Sequence, residues 1–231
     1  MCGRYVATTP PDVLAAHFGA TTAAGADALP PPRWNVAPTD PVPAVIEDRD
    51  GERRIGALRW GLLPSFVADP RTAATRINAR GETVATSPSF RRAFARRRCL
   101  LPADGFYEWD ADKQPWFISR ADGLPLAMAG IWETWQGLGT CAVITAPAPL
   151  GDAVAPLHDR CPVVIDAADY DGWLDRAVPG DAVAGLVRPP APELLVRRPA
   201  NRRVNNVRND GPDLLDPDTG RIDGPVPLRL L

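Results

Sequence analysis

Apolar residues recur along the chain in short bursts, and few bursts hold one period for long. Thr9-Pro10-Pro11-Asp12 leads into VLAAHF and then Gly19. Proline in the first turn and glycine after the last predict one short helix there. Residues 20–32 read as a loop. VPAVIED and ERRIGALRW, on either side of Arg49-Asp50-Gly51, predict a hairpin over residues 43–60. Residues 69–76 read as a loop, and Ser89 is placed to cap a short helix through Arg98 that sets Phe90 and Phe94 on one face. The pattern then turns to strands. RCLLPAD, GFYEWD, PWFISR, LAMAGIWETW, TCAVITA and RCPVVID are aromatic and β-branched runs broken by Gly, Pro and Asp. A last helix is predicted over 167–177, and the stretch from Pro189 on reads as irregular. Strands and helices do not alternate, which argues against a parallel βαβ sheet. The predicted class is α+β: a mostly antiparallel, barrel-like β core with flanking short helices.

Composition narrows this further. The 231 residues suit a single domain, with a motif-bearing core over about 2–210 and an irregular C-terminal tail. The 27 prolines and 19 glycines favour many turns and short elements over a helical bundle. No apolar run reaches membrane-spanning length and the first ten residues lack a signal-peptide plan, so a cytoplasmic protein is expected. Cys2, Cys99, Cys141 and Cys161 are scattered without a CxxC pair and read as reduced thiols. With only two histidines they make no metal set, and no cofactor is implied. The net charge of −2 hides an asymmetry, because residues 59–98 carry nine arginines against Asp69 and Glu82, a net of +7. Such a segment can form a phosphate-binding face. The Arg91, Arg92, Arg96, Arg97 and Arg98 cluster within it reads equally as the solvated face of a helix.

Several residues could carry chemistry. Removal of Met1 would expose an α-amine and a thiol together on Cys2. Both groups have reactive forms near neutral pH. A 1,2-aminothiol captures an aldehyde as a Schiff base that closes to a thiazolidine; alternatively, such a cysteine serves as the nucleophile of an N-terminal hydrolase. Glu108 shares a strand face with Phe106 in Gly105-Phe106-Tyr107-Glu108-Trp109, where desolvation would raise its pKa toward that of a general acid/base. The bland reading is a Glu paired with an Arg. His17 reads as structural or exposed, whereas His158, entering an apolar strand, is a candidate for proton transfer. Asn78 and Arg80 point the same way in an extended segment and suit a sugar-phosphate backbone. Trp34, Trp60 and Trp109 supply aromatic surfaces for core packing or base stacking.

Taken together, Met1-Cys2-Gly3-Arg4-Tyr5, Asn35-Val36-Ala37-Pro38, Arg59-Trp60-Gly61-Leu62-Leu63-Pro64, Asn78-Ala79-Arg80-Gly81-Glu82, residues 98–109, Ala129-Gly130-Ile131-Trp132-Glu133 and His158-Asp159-Arg160-Cys161-Pro162 resemble the SRAP family, the SOS-response-associated peptidase-like proteins that process abasic sites. Cys161 stands where the family commonly has Met, and Pro149 where Asn or Ser is expected. The resemblance implies capture of abasic sites in single-stranded DNA as a thiazolidine crosslink on Cys2, which shields the lesion. It also implies that Asn78 holds the Cys2 region, that Glu108 moves protons and that His158 assists Schiff-base formation and reversal. Arg4, Pro38, Trp60, Arg80 and Arg160 would bind the DNA. The expected partner is therefore abasic single-stranded DNA, bound by a monomer with no membrane involved. Peptidase-like self-processing is a further family trait. Two other readings stand beside it: a class II glutamine amidotransferase-like hydrolase, which also begins Met-Cys-Gly, and a non-covalent single-strand binding module with Cys2 idle.

Overall fold

The computed structural model describes residues 2–23, 28–149 and 151–217. In chain order the elements are β1 (Tyr5–Ala7), α1 (Pro11–Phe18), β2 (Thr21–Thr22), β3 (Arg33–Val36), β4 (Pro41–Glu47), β5 (Arg53–Trp60), β6 (Asn78–Arg80), α2 (Arg91–Arg96), β7 (Arg98–Ala103), β8 (Gly105–Trp109), β9 (Pro115–Arg120), β10 (Leu126–Trp135), β11 (Leu138–Pro147), β12 (Arg160–Pro162), α3 (Tyr170–Leu174) and β13 (Leu195–Pro199).

The strands form two sheets. One is antiparallel, in the order β13-β9-β8-β1-β3. The other runs β12-β11-β10-β7-β4-β5-β2, with β6 also on β11. A further parallel pairing, Thr140 with Arg59 and Cys141 with Trp60, joins β11 back to β5. It closes β5-β4-β7-β10-β11 into a five-stranded barrel. The class read from the sequence holds, with three short parallel pairings (β2–β5, β5–β11 and β6–β11) inside a mostly antiparallel frame.

The period-2 alternation of strand residues explains how these layers pack. Cys99 and Leu101 on β7, with Cys141 and Val143 on β11, share a buried cluster with Tyr5, Phe106 and Ile118 of the five-stranded sheet. The intervening Leu100, Ala142 and Ile144 bury instead with Phe18 of α1, Phe94 of α2 and Trp173 of α3. On its far side the five-stranded sheet packs Tyr107 and Phe117 against Ala200, Val204 and Leu214. Gly105 is needed at the start of β8, because a Cβ there would stand 2.4 Å from the Phe117 ring and 2.5 Å from the Ile118 carbonyl oxygen.

Several local readings change. α1 ends at left-handed Gly19 as expected, its N–H bonding the Ala15 and Ala16 carbonyls. Residues 70–75 form a 3₁₀ helix rather than a loop, capped by the Asp69 side chain on the Arg71 N–H. Ser89 does not cap α2; Phe90 holds the cap position, with no side-chain hydrogen bond. Arg98 opens β7 because its guanidinium donates into the interior, to the carbonyls of Phe94, Ala95, Trp173, Asp175 and Val178. Arg97 pairs with Glu133. Two of the five arginines in the cluster that read as a solvated face or a phosphate site are therefore structural. The helix expected over 167–177 is a 3₁₀ turn, Ala167–Asp169, followed by α3, which stops at Leu174. The stretch after Pro189 contains a real strand, β13. Residues 24–27 of the expected 20–32 loop, and the tail beyond Pro217, lie outside the described residues. Among the described residues the four cysteines are free, and no helix is long and apolar enough to cross a membrane.

Candidate active site

The two sheets meet around Cys2, which is fully buried in the cluster that joins them. Its carbonyl accepts a 2.8 Å hydrogen bond from Asn78 Nδ2. Asn78 is positioned by β6, which the barrel strand β11 holds in register, Asn78 opposite Val143. Glu108 arrives from the other sheet, on β8, only 4% exposed. Burial raises its pKa, while the charge of His158 pulls the other way. The Cys2 thiol is pushed well up, first by burial and then by the Glu108 charge. His158 ends the turn that follows Asp152, its backbone N–H bonded to the Val154 carbonyl. Its Nδ1 accepts from the Arg160 backbone N–H at 3.0 Å and lies 2.7 Å from Asp159 Oδ1. One protonation state cannot serve both. A neutral ring with a bare Nδ1 accepts from Arg160, and a protonated ring donates to Asp159. The residue thus has a hydrogen-bond partner in either state. Four residues scattered over 156 positions of sequence come together here: Cys2, Asn78, Glu108 and His158.

The expected DNA contacts divide. Arg80 is exposed and, among the described residues, has no salt-bridge partner. Pro38 is half-buried in the turn where Thr39 (φ 77°) donates its N–H to the Trp60 carbonyl. Arg4 is partly committed: Nη1 donates to Asn35 Oδ1 and to the Val204 carbonyl, both at 2.9 Å. Asn35, fully buried, fastens the same segment through the carbonyls of Val204, Asn206 and Asn209. Two expectations need correction. Trp60 is 0% exposed, its Nε1 bonded to the Ile77 carbonyl at 2.9 Å and its ring edge-on to Tyr5 at 5.0 Å, so it has no face free for a base. Arg160 is 9% exposed and grips Glu82 with both terminal nitrogens at 2.8 Å, holding that carboxyl down at about 2. Its charge is matched inside the protein and does not point to a phosphate. The exposed aromatic of the basic segment is Phe66, 63% exposed, a residue sequence reading passed over. Its neighbour Val67 is pinned by Trp135 Nε1 on the Val67 carbonyl at 2.7 Å. A lone Phe in a Pro-Ser-Phe loop amid arginines was the available signal.

Residues 1–207 match the family model described as SOS response associated peptidase (SRAP). The chain belongs to the SRAP family. Its relatives include the abasic site processing protein YoqW of Bacillus subtilis (strain 168), 31% identical over 94% of this chain and 99% of that one. Abasic site processing protein YedK of Escherichia coli (strain K12) is 33% identical over 94% of this chain and 100% of its own length. The corresponding HMCES of Gallus gallus is 30% identical over 80% of this chain and 66% of its own. Among solved structures, a protein from Bacteroides thetaiotaomicron superposes with a TM-score of 0.79 at 21% identity, covering 94% of this chain and 99% of that one. At that identity the likeness speaks to the SRAP fold alone.

Proposed function

We propose that this SRAP protein captures abasic sites in single-stranded DNA as a covalent adduct on Cys2 once Met1 has been removed. One observation carries the reading: the Cys2 backbone is held by Asn78 while its thiol lies within electrostatic reach of a desolvated carboxyl, Glu108, which is itself within reach of His158. An aminothiol, an amide that fixes it and two proton-transfer groups are what aldehyde capture requires. Protonated Glu108 donates to the ring oxygen of the closed sugar as it opens to the aldehyde. The anomeric hydroxyl gives its proton to neutral His158 in that opening; the Cys2 amine adds to the carbonyl carbon, its surplus proton moves to the new alkoxide, and the hydroxyl leaves as water on taking the proton back from His158, giving an iminium. The thiol sulfur then bonds to that carbon, the C=N π pair returns to nitrogen, and the thiol proton passes to the carboxylate. Aldehyde plus aminothiol yields thiazolidine plus one water. The adduct covers the lesion. Arg80, on the exposed edge of β6, suits a neighbouring phosphate, and the names of the YoqW, YedK and HMCES relatives support abasic DNA as the partner.

Intact-mass measurement tests this. The mature protein mixed with a single-stranded oligonucleotide carrying one abasic site should give a heat-stable species of the summed masses less one water. Cys2→Ser should give only an adduct that needs borohydride to persist. A Cys2→Ser adduct of wild-type stability would overturn the ring, and no adduct from the wild type would overturn capture. Glutamine hydrolysis, or reversible salt-sensitive binding alone, would then favour the two other readings.

A further inference from the structure

The five-stranded sheet carries the floor of the site outward to an open edge. Phe106 pairs with Ile118 and Ile118 with Arg197; Glu108 pairs with Trp116 and Trp116 with Pro199. Directly opposed residues share a face, and so do residues two apart on a strand. Phe106, Glu108, Trp116, Ile118 and Arg197 therefore look the same way. Phe106 and Ile118 lie in the buried cluster that contains Cys2. Exposure rises along the row from Glu108, buried, through Trp116, half-buried, to Arg197, exposed. At about 4.8 Å per strand, the row reaches β13 roughly 10 Å from Glu108.

Its outer end is organised. The Arg197 guanidinium lies over the Trp116 ring, 5.3 Å from the centroid. Trp116 is fixed from below by its Nε1, which donates to Asp110 Oδ2 at 2.9 Å. Arg197 Nη1 donates to the Ala153 carbonyl at 3.1 Å, on the turn that leads to His158. Among the described residues, neither Nε nor Nη2 of Arg197 has a hydrogen-bond partner, and no carboxylate pairs with this guanidinium. The surrounding edge is basic: residues 197–208 hold five arginines and no acid, and among the described residues only Arg203 of these has a carboxylate partner, Asp213. A guanidinium backed by an indole is pre-oriented, keeps donors for a phosphate and offers a flat cationic face to a base.

We propose that Trp116 and Arg197 form a shelf for the DNA strand flanking the reactive nucleotide, with Arg197 contacting a phosphate and the Trp116-backed guanidinium carrying the adjoining base. This rests on the reading of the site as one for abasic single-stranded DNA and adds the path of the strand. Arg80 is carried by the barrel sheet and Arg197 by the edge of the other, so the lesion sits over the seam with one flank on each.

The test is single-turnover crosslinking by the full-length protein at increasing protein concentration. The oligonucleotides carry the lesion with long flanks, or with the 5′ or the 3′ flank trimmed to one nucleotide. For Arg197→Ala, the half-saturating concentration should rise roughly 5- to 10-fold, as for loss of one stacking contact. The maximal rate should hold, and the salt slope should fall by about 0.7, the value for one phosphate on a single strand. The effect should vanish when one particular flank is trimmed. Trp116→Phe, which keeps a ring under the guanidinium, should bind more tightly than Trp116→Ala, and Arg197→Lys should regain the slope but not the full affinity. Unchanged half-saturation and slope in Arg197→Ala would overturn the shelf. So would a fall in maximal rate that ignores flank length, because Arg197 would then act only by supporting the His158 turn through Ala153. Anisotropy with an undamaged labelled strand separates the two layers. An Arg197 effect there, with no adduct from the wild type, would overturn capture and leave the shelf standing.

Discussion

Replacing Glu82 by Gln should weaken the fold and leave DNA binding intact. In the native fork each terminal nitrogen of Arg160 lies 2.8 Å from one Glu82 oxygen. Arg160 further donates to Thr145 Oγ1 at 3.1 Å and to the Thr145 carbonyl at 2.7 Å. Glu82→Gln would leave that guanidinium, 9% exposed, without its counter-charge. The hydrogen bond from Arg160 is the main reason the Glu82 carboxyl falls from 4.5 to about 2. Taken in full, a shift of that size corresponds to about 3 kcal/mol. The Glu82 side chain is 47% exposed, and solvent screening reduces this to about 1–2 kcal/mol. At roughly 2–4 °C per kcal/mol for a chain of this size, Tm should drop by about 2–8 °C. The folded-state pKa is depressed, so the contribution is complete above the ordinary value of 4.5 and is lost as pH falls toward about 2. The stability gap between wild type and variant should therefore be level from about pH 6 to 8 and narrow below about pH 4.5. Urea unfolding across pH 3–8, with single-strand binding measured at pH 7, checks both parts. A gap that fails to narrow in acid refutes the linkage argument. A variant as stable as the wild type but weak on DNA would return Arg160 to the DNA face.

Trp60→Ala should destabilise the barrel by about 3–5 kcal/mol, as for other buried tryptophans, while the folded fraction keeps its affinity for single strands; chemical denaturation beside anisotropy checks this. Arg80→Ala should lower both affinity and the salt slope, the slope by about 0.7, whereas Phe66→Ala should lower affinity by about 1–3 kcal/mol with the slope unchanged; salt titrations distinguish the two. Glu108→Gln should slow crosslinking by about 10²–10⁴-fold at pH 7 without loss of DNA affinity. Because burial raises the Glu108 pKa, its proton-donating form persists to higher pH than in an ordinary carboxyl, so the wild-type rate should decline with rising pH while the variant's stays flat.

What the sequence shows and what it hides follow from where each signal is stored. β7 to β11 were legible because aromatic and β-branched runs are punctuated by Gly105, Asp110 and Gly123 or Gly137, so local chemistry marks both strand and turn. β13 was hidden because an edge strand reading Leu-Val-Arg-Arg-Pro, exposed after its first residue, has no alternating pattern to betray it. The β5–β11 pairing that closes the barrel joins residues some 80 apart, and no window on the sequence reports it. Cys2, Asn78, Glu108 and His158 could each be named from their own motifs, but their meeting at the seam depends on β6 docking on β11 and β8 on β1. Arg98 and Trp60 show the opposite failure. Residue type suggested an exposed charge for Arg98 and left Trp60 between core packing and base stacking, and the family resemblance set Trp60 on the DNA. The converging carbonyls of 94–95 and 173–178 draw the guanidinium inside, and the Ile77 carbonyl and Tyr5 ring enclose the indole.

Burial of Cys2 bears on the order of steps in the proposed reaction. A thiol whose pKa is raised by desolvation is a poor nucleophile at rest, since only the thiolate attacks readily. An N-terminal cysteine hydrolase needs that sulfur activated before its first step. Aldehyde capture does not, because the amine adds first. Once the iminium forms, a positive charge sits on the nitrogen of Cys2 itself, within a few bonds of the sulfur. In a site of low dielectric, that charge favours the thiolate far more than it would in water. Glu108, having given its proton to the opening sugar, is then a carboxylate able to take the thiol proton. Burial of the thiol is therefore compatible with ring closure once an aldehyde has been caught. This order makes a kinetic claim: blocking the α-amine should abolish both the Schiff base and the ring, whereas Cys2→Ser should abolish only the second. A thiol-dependent adduct from a protein whose amine is blocked would show the sulfur acting first and would refute the order.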